Sequence, residues 1–169
     1  MKTKKTLQAF IYLVFTLLFI NFIISCKSAP PKLTAIESGH VQDNVNQLVA
    51  NISKDISHKG VVAWLDYFED SPDFFMAADG QMAFRNYHTA QSYINNRLVK
   101  SVSKINLAWD NIRVDPLTAD LASVGAEYYE DLTDTAKKAI SINGYFTATA
   151  HFTGKTWKLR NAHWSRKPL

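Results

Sequence analysis

The sequence predicts an α+β domain, a cone of three amino-terminal helices set against a strongly curved antiparallel sheet. Three observations predict it. Apolar residues between Val41 and Val102 recur at helical spacing, and those from Ile105 onward alternate. A strand of about 14 residues spans roughly 45 Å and cannot stay flat, so the sheet must bend around whatever fills it.

The helices come first. Val41, Val45, Leu48, Ile52 and Ile56 share one face, and Gly60 breaks the run. In the second, Val61, Trp64, Leu65 and Phe68 face one way until Pro72 stops it. Residues 74–77 read as a buried strand, Asp79-Gly80 as a tight turn, and residues 81–84 as the returning partner. Thr89 is the expected N-cap of a third helix carrying Ile94, Leu98 and Val102.

The remainder is β. Ile105, Leu107 and Trp109 alternate, then the phase slips so that Ile112 and Val114 continue it, which predicts a bulge near Asn111. Asp115-Pro116 marks a turn, and Ala122, Val124, Ala126 and Tyr128 alternate beyond it. In the longest strand Ile140, Ile142, Phe146, Ala148, Ala150 and Phe152 point one way, and Gly144 offers a place to bend. Gly154-Lys155 closes a hairpin into a last strand from Trp157 to His163.

Charge removes one class of function. The formal net charge of +4 contains Lys2, Lys4 and Lys5, and without them 16 basic residues face 15 acidic ones. The folded part is therefore nearly neutral, and no nucleic-acid partner is expected. A hydrophobic share of 47% supports a packed core and argues against disorder.

The three lysines precede an apolar run from Leu7 to Ile24, the pattern of an export signal. Its ending, Ile23-Ile24-Ser25-Cys26, resembles a bacterial lipoprotein signal. The resemblance implies cleavage before Cys26, acylation of that cysteine, and a membrane partner reached through the lipid. An uncleaved spanning helix is the alternative. Cys26 is the sole cysteine, so the chain forms no internal disulfide. Residues 1–25 thus read as signal peptide, 26–40 as lipidated cysteine and flexible tether, and 41–169 as the domain. Lys27 gives no aspartate-type retention signal, which points to the outer membrane or cell surface.

Three segments carry a further resemblance. They are Trp64-Leu65-Asp66-Tyr67-Phe68 leading to Asp73-Phe74-Phe75-Met76, Asp79-Gly80 before the third helix, and Gly154-Lys155-Thr156-Trp157-Lys158-Leu159 ending in His163-Trp164-Ser165. In order and spacing they resemble the nuclear transport factor 2-like (cystatin-like) superfamily, with the closest likeness to its SnoaL-like branch. The last segment also resembles the association domain of calcium/calmodulin-dependent kinase. The resemblance implies a cone-shaped pocket and a homodimer formed through the sheet. Its members include isomerases, cyclases, dehydratases, ligand binders and assembly modules, so function does not follow from fold.

Two functions fit these residues. One is a pocket for a small apolar or amphipathic ligand, or an assembly module, with a wall drawn from Trp64, Tyr67, Phe68, Phe74, Tyr128, Asn161 and His163. The other is an isomerase, cyclase or dehydratase using His163 as acid–base group with Asp79 or Tyr128. Counting by twos from Trp157 puts Leu159, Asn161 and His163 on one face. Each candidate also has a plain structural role: His163 as an edge histidine, Asp79 as a turn former, Tyr128 and the aromatic helix face as core. Tyr128 and Glu130 share a face of their strand. His151 and Tyr145 belong to the outer, polar face that a second subunit would meet. Neither a metal nor a cofactor is implied: histidine and carboxylate spacings suit no metal, and no glycine-rich phosphate loop occurs.

Overall fold

Helix α1 spans Ala35–Lys59 and starts where local chemistry allows it. Thr34 and Glu37 form a capping box: the Glu37 amide donates to Thr34 Oγ1 at 3.2 Å, and the Thr34 amide donates to Glu37 Oε2 at 2.8 Å. The helix therefore begins six residues before Val41, and residues 35–40, expected as tether, belong to it. It buries Val41, Val45, Leu48, Val49, Ile52 and Ile56 and ends at Gly60, whose φ of 80° suits glycine. The computed structural model describes residues 32–168; the export signal and Cys26 lie outside the described residues.

The second helix is a 3₁₀ helix, Val61–Asp66, burying Val61, Ala63 and Trp64. Its short run between Gly60 and Pro72 favours the tighter helix. Strands β1 (Phe75–Ala78) and β2 (Gln81–Phe84) form a hairpin through Asp79 and Gly80, both at positive φ. Helix α2 (Tyr87–Tyr93) is capped by Asn86, with Thr89 as the third residue of a capping box and not the N-cap. It continues through a π turn, Ile94–Leu98, into a final turn α3, Val99–Ser101.

Strands β3 (Val102–Pro116), β4 (Leu121–Asp134), β5 (Ala139–Phe152) and β6 (Trp157–Arg166) complete a six-stranded sheet in the order β2-β1-β6-β5-β4-β3. All pairs are antiparallel except β1 with β6. α1 lies in the concave face, where Trp109 Nε1 donates to the Val49 carbonyl at 3.0 Å.

The bulge at Asn111 is present, with φ 49° and a register shift between Asp110 and Arg113. Ile112 sits within the bulge and is exposed, contrary to the expectation that it points inward with Val114. Pro116 ends β3, so the turn follows it. Ile140 and Phe152, also expected inward, lie at the ends of β5 beyond the core and are exposed. Gly144 serves close approach: a Cβ there would lie 1.9 Å from the Ser165 carbonyl oxygen on β6.

One irregularity governs the site. In β6, Leu159 faces Ala150 but Asn161 faces Thr149, so Arg160 is an extra residue. Such a bulge reverses which residues face the core. Trp157 and Leu159 point inward, and beyond the bulge Ala162 and Trp164 do so in place of Asn161 and His163.

Candidate functional site

The mouth of the cone holds a pocket of about 400 Å³. Aromatic side chains of Trp64, Phe68, Phe84, Tyr93, Tyr128 and Trp164 line it together with aliphatic ones. Trp164 packs against several of these rings. Its indole meets Trp64 at 5.2 Å and Phe146 at 4.5 Å edge-on, and Tyr128 at 5.1 Å in a tilted pair. Edge-to-face contacts at these distances hold rings in fixed orientations.

Three charged side chains interrupt that wall: Asp79, Glu130 and Arg166. Asp79, in the β1–β2 turn, accepts from the Arg166 backbone amide at 2.9 Å and from its Nε at 2.6 Å. The Arg166 amide foremost, then its guanidinium, holds the Asp79 carboxyl below its ordinary range. The pair also lines a neighbouring hollow of about 600 Å³ together with Ile142.

Glu130 is different. It continues the inward phase of β4 after Tyr128 and stands between Leu107 on β3 and Ile142 on β5. Its carboxyl has no hydrogen-bond or ion-pair partner among the described residues. Burial alone pushes its pKa up to about 7. The adjacent Tyr128 is fully buried, and its hydroxyl is without a hydrogen-bond partner. Burial first, then the Glu130 charge, raises that phenol to about 12, so it remains a proton donor.

The expected site residues divide. Trp64, Phe68, Tyr128 and Asp79 come together in the pocket. Tyr67 points elsewhere and lines a polar groove with Asn44, Asn51 and Trp157, donating to Asp55 Oδ2 at 2.7 Å. Phe74 is fully buried behind the wall, its ring 4.6 Å from Phe68. Asn161 and His163 are outside the pocket because of the Arg160 bulge, and His163 is exposed on the outer face. His151 is half-buried and bonds Glu69 Oε2 at 2.9 Å, so it is not a free outer-face group.

Residues absent from the expected set are Glu130, Arg166, Trp164, Phe84 and Tyr93. The unbroken alternation of β4 was signal enough for Glu130. Arg166 and Trp164 carried none, since the bulge at Arg160 has no sequence mark. Among the described residues no three His, Cys, Asp or Glu side chains gather as a metal-binding group.

A helix-filled cone of this topology, with an aromatic pocket at its mouth, is the nuclear transport factor 2-like fold. Solved structures of that fold superpose on the chain. A hexachlorocyclohexane dehydrochlorinase, LinA type 3, from Novosphingobium barchaimii LL02 is 12% identical, covering 77% of this chain and 88% of its own with a TM-score of 0.61. A scytalone dehydratase candidate from Novosphingobium aromaticivorans DSM 12444 is 11% identical, covering 80% and 89% with a TM-score of 0.69. A nuclear transport factor 2-like superfamily protein from Salmonella enterica serovar Typhimurium LT2 is 13% identical, covering 81% and 95% with a TM-score of 0.59. At such identities what is shared is the fold. No family model and no curated protein matches the sequence.

Proposed function

We propose that the chain is an exported, lipid-anchored protein of the SnoaL-like kind whose cone pocket binds a small apolar or amphipathic molecule. The observation that carries the ligand reading is the aromatic pocket itself, a concave apolar site with a few convergent polar groups. The lysine-led apolar segment ending at Cys26 supports the anchor at the cell envelope. Exposed Tyr129 and Tyr145 on the sheet's outer face support pairing of two copies there. A native mass spectrum of residues 32–169 tests the reading: a dimer carrying a reproducible small-molecule adduct is expected. A species that stays empty after incubation with a lipid extract counts against it.

Glu130 favours a second reading, an isomerase, cyclase or dehydratase. The acid–base role passes from His163, outside the pocket, to Glu130, with the Tyr128 hydroxyl donating to a developing oxyanion. A carboxyl titrating near neutrality is suited to take and return a proton. Deuterium exchange at the carbon next to a cyclic ketone's carbonyl, present in the protein and lost in Glu130→Gln, is the expected signature. No exchange above the buffer rate leaves binding alone.

A further inference from the structure

The pocket's charges do not balance. The Arg166 guanidinium pairs with Asp79 through Nε, its backbone amide adds a second bond, and Glu130 has no ion-pair partner among the described residues. We infer that the pocket's ligand is a cation, a protonated amine on an apolar body, with its ammonium group against Glu130 and its body among the aromatic rings. This deepens the ligand-binding reading above and rests on it.

Three features converge on that class. An unpaired carboxylate among apolar side chains regains by ion pairing what it loses by leaving water. Six aromatic residues line the same space, and a cation within about 6 Å of such a ring face is attracted by its quadrupole. A carboxylate ligand meets Glu130's repulsion and finds Arg166 already engaged by Asp79. A neutral alcohol finds the Tyr128 hydroxyl but leaves the negative charge uncompensated. The titratable and charged groups sharing the pocket with Glu130 are Tyr128 on β4, Asp79 in the β1–β2 turn, Arg166 on β6 and Tyr93 on α2.

The test compares three probes of one shape: 4-phenylbutylamine, 4-phenylbutan-1-ol and 4-phenylbutyrate. Each is titrated calorimetrically into the full chain in nanodiscs of uncharged phosphatidylcholine, with empty discs as the blank. At pH 8 the amine is expected to bind about tenfold tighter than the alcohol or more, and the butyrate weakest. The amine's advantage should shrink at pH 5.5, vanish in Glu130→Gln, and survive in Glu130→Asp. Equal binding of amine and alcohol, tighter binding of the butyrate, or a preference kept in Glu130→Gln overturns the cation inference and leaves the pocket reading standing. Binding of none of the three overturns both.

Discussion

Two carboxylates line one pocket and are held in opposite states. Asp79 sits at the rim, where the Arg166 amide and guanidinium hold its proton off. Glu130 sits among aliphatic and aromatic side chains without a partner, and burial keeps its proton on until about pH 7. Residue type does not separate them; the neighbours each one meets do. β6 delivers both a backbone donor and a guanidinium to Asp79, and β4 delivers only a neutral phenol beside Glu130. Structural service and readiness for a ligand are thus divided between two acids at one site.

The largest expected effect breaks the Asp79 side. Gly144→Ala would place a methyl 1.9 Å from the Ser165 carbonyl oxygen, a distance only backbone movement relieves. β5 and β6 must then separate where Arg166 begins its bonds to Asp79. A loss of about 3 kcal/mol or more in urea unfolding is expected, with Glu130 still titrating high in whatever remains folded. A wild-type midpoint in the variant removes the steric argument.

Next is Glu130→Gln, which removes the half-buried proton site. From the ordinary 4.5 the folded carboxyl rises to about 7, so between those pH values the unfolded chain ionises and the folded one does not. The unfolded state then binds fewer protons, and stability falls as pH rises through that window and levels off above it. Partial exposure softens the penalty, so the Gln variant should be more stable than wild type by roughly 1–3 kcal/mol at pH 8. At pH 4 the two should nearly coincide. Parallel melting curves across this range would show Glu130 unstrained if the wild type did not decline.

These two acids also show what a sequence displays and what it hides. Along β4 the alternation of Ala122, Val124, Ala126 and Tyr128 is unbroken, each is buried, and Glu130 follows in phase. The antiparallel run from β3 to β6 follows from equally regular alternation and the Asn111 bulge from its single phase slip, whereas the parallel pairing of β1 with β6 has no mark in either strand. β6 carries one added residue, Arg160, set by its pairing with β5 and unmarked by glycine or proline. That residue exchanges His163 for Trp164 and brings Arg166 to the pocket. Long-range register, absent from any short stretch of chain, decided half of the site. The cap at Thr34 is marked by Glu37 three residues on, while the proline-containing segment before it resembles a tether.

A smaller effect sharpens the comparison. Asp79→Asn weakens the hold on Arg166, and the pair is exposed enough that thermal stability should fall only slightly at neutral pH. Because Asp79 titrates below 3.8 when folded, its contribution is present above that value and lost as the pH drops through its lowered pKa. The informative readout is Glu130. With Arg166 released inside the same pocket, the Glu130 carboxyl resonance should titrate lower than in wild type, toward ordinary glutamate. An unchanged titration would mean that Arg166 does not reach it.

The smallest effect belongs to His163→Ala. His163 lies opposite Thr147 on β5 and beside Ala77 on β1, exposed on the face turned away from the pocket. Its one electrostatic connection to the site is through Asp79, whose proton its positive form helps to hold off. Removing the imidazole should leave ligand affinity, melting temperature and the Glu130 titration unchanged, and let the Asp79 pKa drift slightly upward. If the substitution instead abolishes binding, the extra residue at Arg160 does not reverse the strand in solution. His163 would then face the cone, Trp164 would not, and the division of labour between the two carboxylates would have to be redrawn around an imidazole.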